Sequence, residues 1–303
     1  MGPPPLLSIV VTTHSGRANA TAELVNNLSA QSKILGNYDG QLCEIIVVDD
    51  ASFPPFSPPQ PVAVPVIRFD HNIGAPAARR AGCNASKGAF IHFHDSDDQV
   101  PTEWLIRIVS ALQESVQPDL LITARMRSNG HAQADRLVVP RYVARNSGNV
   151  LRLRNYLTYE NAIGPLGGVT FSRRAVERLS FPSLASCQDW HMYWEALSGP
   201  CFVKVDQDNY FIFQTTGMDR ISNSLRRKAL GLQYFARLVS ASPAQYAFLR
   251  RYFWTLCNGR YVGRASIAAR LWSGLWRWAA MIVAHSPTLA RWIFLGGNKF
   301  GGE

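Results

Sequence analysis

The sequence predicts an α/β protein: a mostly parallel sheet flanked by helices, followed by a C-terminal helical extension. Three observations carry this. Continuous apolar, β-branched runs alternate with segments of helical pattern, which is how strands buried on both faces by crossover helices read. Three of the runs end in polar or acidic clusters. Beyond about residue 222 the pattern turns helical throughout.

The elements follow in order. LLSIVVTTH (6–14) reads as a buried strand, and residues 17–33 fit a helix. CEIIVVDDAS (43–52) is a second buried strand, and a Pro-rich loop (53–65) leads to a short strand, VIRFD (66–70). HNIGAPAARRAGCNASKG (71–88) is a turn followed by an Ala-rich helix that Gly88 stops. The run Phe90 to Phe93 is a strand, and the segment from Pro101 is a helix with proline in its first turn. DLLITAR (119–125) is another strand, and residues 126–150 read as polar loop. GGVTFSRRAVERL (167–179) reads as strand then helix, CQDWHMYWEAL (187–197) as helix, and CFVKVDQDNYFIFQ (201–214) as two short strands. The chain shows no internal repeat and no Walker-type or GxGxxG loop.

At 303 residues, 47% hydrophobic and 17% charged, the chain is globular and long enough for one large or two smaller domains. Its five cysteines are odd in number and form no CxxC pair, which argues against a disulfide framework or zinc site and fits a reducing cytoplasm. MGPPPLLSIVVTT lacks a basic n-region, and Leu6 breaks the myristoylation pattern. No apolar run reaches the roughly 18 residues of a transmembrane helix. The expectation is a cytoplasmic protein, at most peripheral on the inner face of a membrane.

The net charge of +10 is unevenly placed. From Arg220 onward there are 13 Lys and Arg against one acid, Glu303, whereas residues 1–219 hold 18 basic and 20 acidic residues. A basic surface suits nucleic acid or anionic membrane. Here that inference applies to the C-terminal region only.

GAFIHFHDSDDQVP (88–101) packs Asp95, Asp97 and Asp98 at the mouth of a strand. Like charges this close repel unless something positive lies among them. Carboxylate oxygens suit Mn²⁺ or Mg²⁺, which one or two protein carboxylates hold together with substrate phosphates. The plainer reading is a solvated acidic turn at the helix start. If the strands are parallel neighbours, Thr12-Thr13-His14, Asp49-Asp50 and Asp95 to Asp98 share one edge of the sheet, where ligands of such folds gather. His92 and His94 alternate on their strand and so face one side of it.

LSIVVTTH, EIIVVDDAS, NIGAPAARRAG, GAFIHFHDSDD and QDWHMYWEAL, in that order, resemble the family 2 glycosyltransferases of GT-A fold. The resemblance spans residues 6 to about 197 and implies an inverting, metal-dependent transfer from a nucleotide-diphospho-sugar, a UDP-sugar first, to a hydroxyl of a glycan or lipid-linked glycan. It implies that Thr12 and His14 line the nucleoside pocket and that Asp50, with Asp49 beside it, binds the base. Arg79 and Asp95 would lie at the donor, Asp97 and Asp98 at the metal, and Asp189 at the general base. Trp190 and Trp194 would stack on the acceptor sugar or else pack a core; Asp189 could instead cap its helix. QTTGMDRISNS (214–224) matches a segment that closes over the donor, through which Arg220 could reach the diphosphate. The chain departs from the family pattern at His14-Ser15, Arg79-Arg80 and Gln188-Asp189.

Two other classes compete. A sugar nucleotidyltransferase shares the architecture but carries a Gly-rich basic loop after the first strand, where TTHSGRANAT has one Gly and Arg17. A nucleic-acid binder would need phosphate-facing residues on the globular part as well.

The catalytic domain is expected over 1–221 and a basic, Trp-rich helical region over 222–303. In the latter, residues 269–292 carry Trp272, Trp276, Trp278 and Trp292. Arg270 and Arg277 fall on one side of this helix, and Leu271, Leu275, Trp278, Ala279, Ile282 and Val283 largely opposite, with Pro287 interrupting. Such a helix either lies on an anionic membrane surface or packs on protein, including a second copy.

Overall fold

In the computed structural model, residues 3–39, 42–128, 135–214, 224–257 and 267–286 are described. They divide into two compact units. The first comprises 1–150, 163–183 and 195–217; the second comprises 151–162, 184–194 and 218–303. The C-terminal helices therefore cluster with two segments from earlier in the chain.

The first unit is built on an eight-stranded sheet. Its strands are β1 (Leu7–Thr13), β2 (Cys43–Asp50), β3 (Val66–Phe69), β4 (Phe90–Asp95), β5 (Leu120–Ser128), β6 (Asp135–Leu137), β7 (Val169–Ser172) and β8 (Val203–Gln214). The order is β3-β2-β1-β4-β7-β5-β6, with β8 paired to β5. β3, β2, β1 and β4 run parallel. β7 is antiparallel to both β4 and β5, which returns β5 and its parallel partner β8 to the common direction. The sheet is thus mostly parallel, as the apolar runs predict.

Helices α1 (Ala18–Asp39), α2 (Ala75–Ala85) and α3 (Trp104–Leu112) follow β1, β3 and β4. One layer of the core joins Leu7, Ile9 and Val11 of β1 to Leu24 and Leu28 of α1 and Trp104 and Leu105 of α3. On β1 and β2, Val10 and Val48 meet α2 at Gly82, where an added Cβ would lie 2.3 Å from Val10 Cγ1 and 3.0 Å from Val48 Cγ2. Only glycine lets that helix lie so close to the strands.

The structure corrects the sequence reading in two places. Residues 126–150 are not all loop: they include β6, α4 (Arg141–Asn146) and the start of α5 (Val150–Leu157). The segment 201–214 is not two strands but one, with a register shift opposite Thr123/Ala124. A polar stretch, DQDN, sits at that irregularity and interrupts the apolar pattern without ending the strand; Asn209 there is buried.

A short α6 (Arg173–Val176) follows β7, and α7 (Gln188–Ala196) begins in the second unit. The C-terminal helices are α8 (Leu225–Val239), α9 (Pro243–Leu256) and α10 (Ile267–His285). Ser224 and Ser242 cap α8 and α9 by accepting from the Arg227 and Gln245 amides. Phe235 of α8 and Phe253 of α9 pack with Trp190 of α7, ring centroids 4.5 and 5.6 Å away.

Candidate active site

The sheet order makes β2, β1 and β4 adjacent, and the register pairs Thr13 with Asp49 and Thr12 with Asp95. The three polar clusters therefore do share the carboxyl edge of the sheet. Each is held differently.

Asp49 is fully buried. Its carboxylate accepts from the Ser52 amide at 2.8 Å, from the Phe56 amide at 3.0 Å and from the Arg68 guanidinium. Burial alone would raise its pKa, but these contacts outweigh it and hold the group below the ordinary carboxylate range. Asp49 thus fastens the loop after β2. Asp50, 5% exposed, accepts from the amides of Ile73 at 2.7 Å and Gly74 at 2.9 Å. It fixes the turn that opens α2, where Gly74 takes φ +85°, a conformation costly for other residues. Thr12 is half-buried at the strand end, and His14 is exposed in the following turn. In that turn Ser15 Oγ accepts from the Phe53 amide at 3.1 Å.

The acidic cluster after β4 is met by arginines. Arg79 on α2, 6% exposed, donates to Asp95 at 2.7 Å. Arg17, in the turn before α1, pairs with Asp97 at 2.7 Å. Sequence reasoning gave Arg17 no role at this site. The signal available was a lone cation in the first strand-to-helix turn, next to an acidic strand end. Side-chain exposure is 40% for Asp95 and 21% for Asp97, whereas Asp98 is 2% exposed. The accessible oxygens thus belong to Asp95 and Asp97 rather than to the expected pair Asp97 and Asp98.

Among the described residues no three His, Cys, Asp or Glu converge on one point as a protein-only metal cage. The donor chemistry still fits Mn²⁺ or Mg²⁺, since two accessible hard carboxylates are what an ion completed by substrate phosphates needs.

Behind the cluster, His92 and His94 do face one side of β4. Their rings stack at 5.5 Å, and His92 Nε2 lies 3.2 Å from His94 Nδ1. Trp104 stands edge-on to both. Burial pushes His94 down to about 4 despite the opposing pull of Asp95, and burial plus His94 pushes His92 well below its ordinary value. Both rings are neutral at physiological pH and build the wall behind the acids.

In the second unit, Asp189 lies in the first turn of α7, where it accepts from the Trp190 amide at 2.7 Å and from Asn161 Nδ2 at 3.2 Å. Trp190 is 7% exposed, its indole N–H bonded to Leu157 O. It is a core residue, so the expectation that it stacks on a sugar does not fit. Trp194 is half-buried: it donates to Thr158 Oγ1 at 3.1 Å, and the Arg154 guanidinium covers one ring face at 3.8 Å. Arg220 and the 215–223 part of its segment lie outside the described residues.

The sheet order places the polar and acidic ends of adjacent parallel strands on one edge, where α/β folds gather ligands. The profile of Glycosyl transferase family 2 matches residues 8–180, more than half of the chain, and the chain belongs to that family. No curated protein matches. Among solved structures, S. aureus TarS 1-349 in complex with UDP-GlcNAc is similar at 14% identity and TM-score 0.56, over 92% of this chain and 90% of that one. The mannosyltransferase PcManGT from Pyrobaculum calidifontis, in complex with GDP-Man and Mn²⁺, is similar at 16% identity and TM-score 0.54, over 94% and 88%.

Proposed function

We propose that this glycosyltransferase takes a nucleotide-diphospho-sugar, a UDP-sugar first, and transfers the sugar with inversion to a hydroxyl of a glycan or lipid-linked glycan. The reaction would serve polysaccharide biosynthesis at the cytoplasmic face of a membrane, with no nucleic-acid partner. The observation that carries the reading is the shared edge of β2, β1 and β4, with two carboxylates and two arginines at one strand end. The nucleotide-sugar complexes of the two similar structures support it.

Thr12 and His14 face the nucleoside, and Asp49 and Asp50 act through the loops they fasten. Asp95 and Asp97 hold the divalent ion, which when bound offsets the charge building on the departing diphosphate. Arg17 and Arg79 add fixed positive charge at the same strand end, a preorganised form of stabilisation. Asp189 accepts the proton of the acceptor hydroxyl as its oxygen bonds to the anomeric carbon and the bond to the diphosphate breaks, releasing a nucleoside diphosphate. This assignment rests on the family resemblance and on an Asp189 carboxylate pre-set by Asn161.

The test is a thermal-shift panel of UDP-, GDP- and dTDP-sugars with and without Mn²⁺. One donor should raise the melting temperature in a metal-dependent way, and Asp97→Asn should abolish that shift while melting normally without ligand. A metal-independent shift, or a normal shift in Asp97→Asn, would overturn the assignment.

A further inference from the structure

α10 is apolar on both sides. Its inner face is buried through Ala280, Val283 and Ala284, and Trp276 packs on Phe248 of α9 at 5.3 Å. Its outer face exposes Leu271 (65%), Trp272 (60%), Leu275 (58%), Trp278 (67%) and Ile282 (38%). Leu271, Leu275, Trp278 and Ile282 recur at spacings of four, three and four residues, forming one stripe along the helix. A helix solvated on its outer side carries polar residues there; this one places two tryptophans and two leucines in water.

Charge says what covers the stripe. The described stretches 224–257 and 267–286 contain no Asp or Glu, and Arg226, Arg227, Arg237, Arg250 and Arg251 are exposed. A second copy docked through this face would bring together two sets of helices that carry arginines and, in their described stretches, no acid of their own. A nucleic acid would satisfy the arginines but leave the apolar stripe unmatched. A lipid surface with anionic headgroups satisfies both: tryptophan and leucine enter the interface while arginines meet phosphates.

We propose that the outer face of α10 is a membrane-docking surface that seats Leu271, Trp272, Leu275 and Trp278 in the interface of an anionic bilayer. It deepens the membrane setting given above but is independent of the transfer chemistry, because vesicle binding is read without any sugar substrate. An ion pair on this helix fits the orientation: Arg277 turns from the stripe to Glu160, donating at 2.7 Å.

The experiment is flotation of the full-length chain with phosphatidylcholine vesicles, with and without phosphatidylglycerol. The protein should float with anionic vesicles, far less with neutral ones, and less as salt rises. The triple variant Trp272→Gln/Leu275→Gln/Trp278→Gln should bind about tenfold or more weakly, with an unchanged melting temperature and unchanged turnover of a soluble acceptor. Failure of the parent chain to float, or equal flotation of the triple variant, overturns the proposal. So does a parent chain that dimerises in sedimentation velocity and loses that dimer in the variant without binding vesicles, or one that binds nucleic acid but not vesicles.

Discussion

The carboxyl edge of the sheet and the C-terminal helices handle charge and apolar surface in opposite ways. At the sheet edge four acids have a basic or backbone partner: Arg17 for Asp97, Arg79 for Asp95, Arg68 for Asp49, and the 73–74 amides for Asp50. The apolar residues there are inside, and Val10, Val11 and Val48 are fully buried. The described stretches of the C-terminal helices hold arginines and no Asp or Glu of their own, Arg277 pairing with Glu160, and large apolar side chains lie outside. The first region meets most of its charge from within and keeps accessible carboxylate at Asp95 and Asp97. The second exposes arginines and large apolar side chains together, the surface on which the proposed membrane docking rests.

The comparison can be broken from the chemical side first. Asp189→Asn should spare donor binding and lower transfer by ~10²–10⁴-fold; near-normal turnover in single-turnover kinetics would remove Asp189 as the base. The packing of the sheet face comes next. Gly82→Val should cost about 1–3 kcal/mol by overpacking against Val10 and Val48, and an unchanged urea midpoint would show that α2 can move away.

The buried histidine pair sets an acid-side slope. Both imidazoles have folded values below their ordinary 6.5. The unfolded chain therefore binds more protons below that pH, and stability falls as pH drops from about 6.5 toward 4. Unfolding at pH 5 should take up about two protons from this pair; denaturant midpoints that stay flat between pH 7 and 5 would contradict neutral burial. The smallest effect belongs to the second region. Leu271→Gln should change stability by no more than about 0.5 kcal/mol, because the side chain is already 65% exposed; a calorimetric loss of several times that would mean it packs against protein.

Legibility followed the length over which a signal repeats. β1, β2 and β4 are readable because strands buried on both faces leave unbroken apolar runs, and parallel neighbours of that kind share one edge. Helix boundaries are less readable: α1 runs to Asp39, beyond the expected residue 33 and through Gly36. β8 reads from sequence as two strands because DQDN marks an irregularity within one strand, not a turn between two. From sequence Trp190 is open between a sugar platform beside the candidate base and a core residue. Only the positions of Phe235 and Phe253, 45 and 63 residues later in the sequence numbering, show it to be core.

The sequence by itself determined the α/β class, the family, the acidic strand ends and the basic C-terminal quarter, since each is written in local composition or in short ordered motifs. The tertiary structure decided which acid meets which cation, that Asp49 and Asp98 are buried while Asp95 and Asp97 keep accessible oxygens, and which side of α10 is left uncovered. Those outcomes depend on contacts between residues far apart in the chain, such as Arg17 with Asp97, and no local pattern carries that pairing.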